Sequence, residues 1–260
     1  MPLVAVLLAL VAVAFFVLPL VGLLQRAPWS DVWDDLQTPA ARDAMRLSLE
    51  CSLWATALSV VFGVPLAYVL ARARFPGRSL VRALVVLPMV LPPVVGGVAL
   101  LYAFSVNNGI LGGWLHDTFD VQLTFSTAGA VLAETFVAMP FLVITVEAGL
   151  RSMDRRYEDA AATLGANQWT VFRRVTLPLI GPSLFAGAAL AWARALGEFG
   201  ATITFAGNIQ GRTQTMPLAV YLLLESQQGT AIVLSLVLLA VSVVVLVALR
   251  DRWFGAVREP

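Results

Sequence analysis

The chain has 260 residues, 59% hydrophobic and only 13% charged, with a formal net charge of +1 and a mean hydropathy of +0.84. An ordinary soluble domain is nearer about 45–50% apolar and about 25% charged, so a water-soluble globule of this composition would expose large apolar patches. The near-neutral charge offers no electrostatic footprint for nucleic acid.

Six apolar runs have the length of about 20 residues that a helix needs to cross a hydrocarbon core of roughly 30 Å: 3–24, 47–71, 83–104, 127–150, 180–205 and 230–249. They lack the period-2 alternation of a barrel strand, so the predicted fold is an all-α membrane protein with six transmembrane helices. No basic residue precedes the first run and no A-x-A site follows it, so it reads as an uncleaved helix rather than a signal peptide. Residues 25–46 carry Asp31, Asp34, Asp35 and Asp43 with Trp29 and Trp33, and 106–126 are turn-rich, with Asn107-Asn108-Gly109 and Gly112-Gly113. Both read as external segments, too short for a separate domain.

Arginine counting orients the spans. Arg72, Arg74, Arg78 and Arg82, then Arg151, Arg155, Arg156, Arg173 and Arg174, then Arg250, Arg252 and Arg258 fall on one side. Arg26, Arg42, Arg46 and Arg212 fall on the other. The arginine-rich side is assigned to the cytoplasm, with both termini inside.

All 17 basic residues are arginine. A phosphate loop of the Walker A type needs a lysine, so the chain has no P-loop ATPase of its own. A single cysteine, Cys51, rules out an internal disulfide, and the lone His116 leaves no Cys/His cluster for zinc.

Residues 154–178 form the one long polar stretch between spans, and they read as a helix–glycine–helix elbow. Asp154 is placed to cap a helix, Glu158 and Asp159 sit near its start, and the alanines 160–162 give it a small face. Gly165 ends it, Asn167 caps a second short helix, and Pro178 marks the next start. Trp169, Phe172 and Val175 share a face. The alternatives are a solvated connector and a docking helix for a cytoplasmic partner.

Charges inside spans ask for partners, since each costs about 2.5–3.5 kcal/mol on insertion scales. Arg194 and Glu198 stand four apart and can pair. This pair is either structural or, with Gly197 and Gly200, part of a gate on an anion's route. Glu50 and Glu147 lie near span ends, where water reaches, and Glu134 lies near mid-span with a hydrogen-bonding neighbour expected. Pro88, Pro92 and Pro93 interrupt the third span, beside Gly96-Gly97.

The sequence Asp159-Ala160-Ala161, three residues, Gly165, nine residues, Val175-x-Leu177-Pro178 resembles the E-A-A-x3-G-x9-I-x-L-P loop of binding-protein-dependent ABC importer permeases. It departs from that pattern at Asp159 for Glu and Val175 for Ile. Leu87-Pro88-Met89-Val90-Leu91-Pro92-Pro93, together with stretches 108–112 and 125–133, resembles the molybdate and sulfate permease group. Stretch 194–209, which begins Arg194-Ala195-Leu196-Gly197-Glu198-Phe199-Gly200, resembles molybdate permeases more than sulfate ones.

The resemblance implies the type I importer architecture, a single permease domain over 1–260 with its coupling loop at about 151–178, in the inner cell membrane of a prokaryote. It implies a second copy of the chain, two ATP-binding subunits that hold ATP and magnesium, and an external oxyanion-binding protein. No catalytic, cofactor or metal site is implied in this chain. ATPase coupling is implied for Glu158, Asp159, Ala160, Ala161, Gly165, Leu177 and Pro178, and a translocation gate for Arg194, Gly197, Glu198, Pro92 and Pro93. The substrate alternatives are molybdate or tungstate, and sulfate or thiosulfate. An ion-coupled secondary transporter using Glu134, or an intramembrane enzyme, is the rival class.

Overall fold

In the computed structural model, the backbone is described over residues 2–254 and side chains over residues 2–248. The elements in order are α1 (Leu3–Gln25), α2 (Val32–Gln37), α3 (Pro39–Arg72), α4 (Arg78–Val90), α5 (Pro93–Phe104), α6 (Gly112–Phe119) and α7 (Thr127–Ser152). There follow α8 (Arg156–Thr163), α9 (Gln168–Val171), a π-helical turn (Phe172–Thr176), α10 (Leu177–Leu179), α11 (Gly181–Leu196), α12 (Gly200–Phe205), α13 (Met216–Ser226) and α14 (Gln228–Phe254). No strand occurs among the described residues.

The long helices start where the sequence supplies caps. The Thr38 hydroxyl accepts from Ala41 N at 3.3 Å and Pro39 takes the first turn of α3, while Ser126 accepts from Gly129 N at 3.0 Å at the head of α7. Helices α3, α7 and α11 build the centre of the bundle. Their facing surfaces are rich in small residues: Ala55, Ala67, Ala138, Ala191 and Ala195 are fully buried, with Leu70, Leu142, Val146 and Leu150 filling between them. In a membrane, small residues let helix backbones approach until dispersion and polar contacts hold them. A Cβ on Gly63 would lie 2.9 Å from the Leu142 side chain, which records how close α3 and α7 come. Trp192 adds a polar tie, donating its ring N–H to Ser52 Oγ at 3.0 Å.

Four helices, α1, α3, α7 and α14, are each long and apolar enough to cross a membrane, and two bent pairs bring the spans to six. The third predicted span is a broken one. Pro92, which lacks an N–H, ends the ladder of α4, and the chain bends by 120° before α5 starts at Pro93. Pro88 is accommodated inside α4. The pair still traverses the bundle. Arg82 of α4 meets Glu147 near the end of α7, while Phe104 at the end of α5, Leu123 just before α7 and Thr127 at its start line one cavity.

The fifth predicted span also differs from a continuous rod. Helix α11 ends at Leu196, residues 197–199 are non-helical, and α12 is a separate short piece, while a 71° bend separates α9–α10 from α11. Helix α3 begins at Pro39 rather than near residue 47, because the Thr38 cap and Pro39 start it within the segment read as an external loop. Helix α6 occupies part of the loop 106–126. Helix α13, absent from the sequence prediction, is only 11 residues long. It pairs with α14 in a hairpin and donates Met216 N to the buried Ser48 Oγ at 2.6 Å. The side chains of Arg250 and Arg252, the whole of Arg258 and the two chain ends lie outside the described residues, so the orientation is read from the remaining arginines.

Candidate functional site: a tethered elbow and two facing helix breaks

The segment after α7 folds into the elbow that its sequence encodes. Asp154 Oδ1 accepts from Arg156 N at 3.0 Å, α8 runs to Thr163, and Gly165 takes φ +85°, the left-handed conformation that ends a helix at little cost for glycine. Asn167 Oδ1 then accepts from Thr170 N at 2.8 Å and starts α9. Over Phe172–Thr176 the helix widens into a π turn, which shifts the register of Val175 from the predicted common face. Trp169 stacks on Phe172 at a ring separation of 5.9 Å, and Phe172 meets Tyr68 of α3 edge-on at 5.3 Å. π turns inside helices often mark functional positions.

Within the elbow the predicted coupling residues divide. Asp159, Ala160 and Gly165 are exposed, and Leu164 stands out at 89% exposure, an apolar side chain presented to the outside of the bundle. Glu158 turns the other way. Its Oε1 accepts from the Thr176 hydroxyl at 2.7 Å and its Oε2 lies 3.1 Å from Arg72 Nη2 at the end of α3. Thr176 is fully buried. Ala161 and Leu177 are half-buried and Pro178 is exposed.

A second ionic cluster sits at the same pole. Glu147, 5% exposed, is held between Arg151, at 2.7 Å, and Arg82, which reaches both carboxylate oxygens from α4. The expectation of a solvated Glu147 is therefore corrected: two arginines enclose it. Glu50 is exposed and pairs with Arg46 at 3.8 Å, as its position near the start of the predicted apolar span implied. These contacts gather Arg72, Arg82 and Arg151 at one end of the bundle, consistent with one arginine-rich face.

Higher in the bundle, the two helix breaks face each other. Arg194 Nη2 is 2.5 Å from Glu198 Oε2, and Glu198 Oε1 accepts from Ala201 N at 2.7 Å, so one carboxylate ties the end of α11 to the start of α12. Glu198 is 1% exposed, whereas the Arg194 side chain is 28% exposed. Gly200 rests against the other break: a Cβ there would lie 2.8 Å from Pro93 Cβ. Gly97 is closer still to α12, with Thr204 Cβ at 2.6 Å and Ala201 O at 2.9 Å from an added Cβ. Pro93, Gly200 and Glu198 are thus brought together, while Gly197 is exposed, where an added Cβ would make only ordinary contact with Ala193 O at 3.6 Å, and Pro92 is exposed at the bend. Glu134, predicted to hydrogen-bond a neighbour, is buried at 1% exposure, and its Oε2 has no hydrogen-bond partner among the described residues.

Sequence reasoning missed Arg72 and Thr176, Arg82 as a partner of Glu147, and the seat of Gly200 on Pro93. Each is a contact between distant segments.

A bundle of broken and unbroken apolar helices with a polar elbow on its arginine-rich face defines a polytopic helical membrane transporter subunit. The chain belongs to the family of binding-protein-dependent transport system inner membrane components, whose model matches residues 60–257. It is 46% identical over 244 residues to the molybdenum transport system permease protein ModB of Mycobacterium tuberculosis, covering 94% of this chain and 92% of that one. It is 40% identical over 214 residues to ModB of Escherichia coli, covering 82% and 93%. The sulfate transport system permease protein CysT of Escherichia coli is 39% identical over 232 residues, covering 89% and 83%. In fold the chain resembles a bacterial alginate ABC transporter solved with its periplasmic protein, with a TM-score of 0.72 at 20% identity over 96% of this chain and 93% of that one.

Proposed function

We propose that this chain is the membrane-spanning subunit of an ATP-driven, binding-protein-dependent oxyanion importer, and that the oxyanion is molybdate or tungstate. The observation that carries the reading is the elbow: a short helix closed by Gly165, with Asp159 and Leu164 exposed on the arginine-rich face. A lysine-free chain has no phosphate loop, so the energy enters from a separate ATP-binding subunit, which would receive α8 in a cleft. The whole of 1–260 acts as one permease domain, paired with a second copy, with an external protein delivering the anion. The 46% identity to a molybdenum permease supports molybdate; the 39% identity to a sulfate permease supports sulfate as the second reading.

On this reading, closure of the ATP-binding subunits displaces the elbow and, through α7, α11 and α3, the bundle changes between inward-open and outward-open states. Each state is favoured by different ligands, as coupling requires. ATP with the loaded external protein favours the outward state, and phosphate release the inward one. The gate lies where the two helix breaks meet, at Pro93 against Gly200 with Glu198 beside them and Pro92 and Gly197 exposed at the two bends, and Arg194 offers the passing anion a transient contact. An arginine already engaged by Glu198 attracts a dianion weakly, which suits passage better than retention.

The deciding experiment is uptake of radiolabelled molybdate, tungstate and sulfate into vesicles holding the complete transporter, alongside titration of the external protein with each anion. ATP-dependent uptake in the order molybdate or tungstate above sulfate is expected. Uptake that follows a proton gradient without ATP overturns the reading, and a preference for sulfate moves it to the second.

A further inference from the structure

We infer that Glu158, Arg72 and Thr176 form a latch that fixes the elbow helix α8 to the cytoplasmic end of α3, so that Glu158 is a positioning residue inside this chain rather than part of the face offered to the ATP-binding subunit. The inference rests on the elbow's being the point where force enters, and assigns which helix the elbow drives.

The geometry separates Glu158 from its neighbour. Asp159 is exposed, whereas the Glu158 side chain is 15% exposed and that of Arg72 is 11% exposed. Both oxygens of Glu158 are engaged from inside the fold, one by Thr176 and the other by Arg72. Arg72 depends on this pairing, because its Nε and Nη2 are buried with no hydrogen-bond partner among the described residues and the 3.1 Å ion pair with Glu158 supplies its counter-charge. Removing the carboxylate leaves a largely buried guanidinium without its paired counter-charge, the costly way to break such a pair.

The remaining surroundings make this ion pair a joint. Arg72, Tyr68, Glu158 and Gln168 line a cleft of about 380 Å³ between α3 and the elbow, so the two are spanned rather than packed face to face. On the other side Thr176 closes the π turn, and Phe172 of that turn meets Tyr68. Glu158 therefore holds three pieces at one point: the head of α8, the end of α3 and the π turn that leads into α11. The opposite charges attract across the cleft, so the ion pair resists separation where the two elements share little packed surface. The latch makes α3, the longest helix of the bundle, follow the elbow.

The test uses the complete transporter in vesicles, with ATP hydrolysis and molybdate uptake measured on the same preparation. Glu158→Gln and Arg72→Gln are each expected to lower the uptake per ATP hydrolysed at least tenfold while the ATP-binding subunit still co-purifies. The reversed pair, Arg72→Glu with Glu158→Arg, is expected to recover at least a third of the wild-type ratio. Wild-type ratios in both single variants overturn the latch, as does a reversed pair no better than its parents. Loss of the ATP-binding subunit from Glu158→Gln also overturns it, since Glu158 would then be a docking contact.

If Glu158→Gln does not accumulate, Glu158→Asp keeps the charge on a shorter arm and is expected to lower the ratio in the same direction by a smaller factor. A second measurement needs no transport. Spin labels at Arg74→Cys and Leu164→Cys, with the native Cys51 fully buried and unlabelled, are expected to give a narrow distance distribution that at least doubles in width in Glu158→Gln. An unchanged width overturns the latch. Asp159→Arg separates the two readings: if it leaves association and coupling at wild-type levels, the elbow is not the docking element, and the label distances still decide the latch.

Discussion

Arginine 194 and glutamate 198 are unequal partners. The carboxylate is 1% exposed and also receives Ala201 N, while the guanidinium is 28% exposed. Truncating the arginine strands a buried charge, a loss on the order of 3–5 kcal/mol. Arg194→Ala is therefore expected to lower the melting temperature of the detergent-solubilised protein and to abolish uptake, with the ATP-binding subunit still bound at the distant pole. Unaltered uptake in a folded Arg194→Ala would confine the pair to structure. At Gly97 the constraint is space: an added Cβ would meet Thr204 Cβ at 2.6 Å and the backbone of Ala201 at 2.9 Å, with no flexible side-chain end to yield. Gly97→Ala should destabilise by about 1–3 kcal/mol, the usual cost of overpacking. Gly22→Ala, where nothing lies within 4 Å, should leave the same thermal melt unchanged or slightly raised.

Among the elements, the elbow depends on one backbone conformation. Gly165 has φ +85° and open space around it, so a side chain there is opposed by the backbone and not by a neighbour. Left-handed conformations cost a branched residue roughly 1–2 kcal/mol and are tolerated by asparagine. Gly165→Val is expected to uncouple ATP hydrolysis from uptake, and Gly165→Asn to retain most coupling; equal behaviour of the two would show that size, not backbone, matters. This turn was legible in the sequence because glycine, Asp154 and Asn167 act locally. So were the six apolar runs, since length alone lets a helix span the bilayer, and the break at Pro92-Pro93, since proline removes the N–H wherever it stands. The break after α11 was not legible: a lone Gly197 is tolerated in many helices, and what fixes the break is Glu198 reaching Ala201 N while Gly200 meets Pro93. Helix α13 is too short for a span, and its helicity comes from Ser48 and α14. The inward turn of Glu158 was not legible either, because nothing local reveals that Arg72 and Thr176 wait on the inner side.

For the molecule as a whole, orientation follows from an uneven distribution of arginine that the tertiary structure preserves: Arg72, Arg82 and Arg151 meet carboxylates at one pole, and the tryptophan-bearing segment before α3 and the α6 loop lie at the other. Moving arginines across the bilayer during insertion is what the membrane resists, so the arginine-rich pole stays inside. The native cysteine makes this testable, because Cys51 is fully buried and gives no background to a membrane-impermeant maleimide. Asn108→Cys lies in the exposed turn before α6 and Arg155→Cys in the exposed start of the elbow. In intact cells stripped of their outer envelope, Asn108→Cys should label and Arg155→Cys should not; in inside-out vesicles the pattern should reverse. The opposite pattern would put the elbow out of reach of any ATP-binding subunit, and with it the energy source on which import by this chain depends.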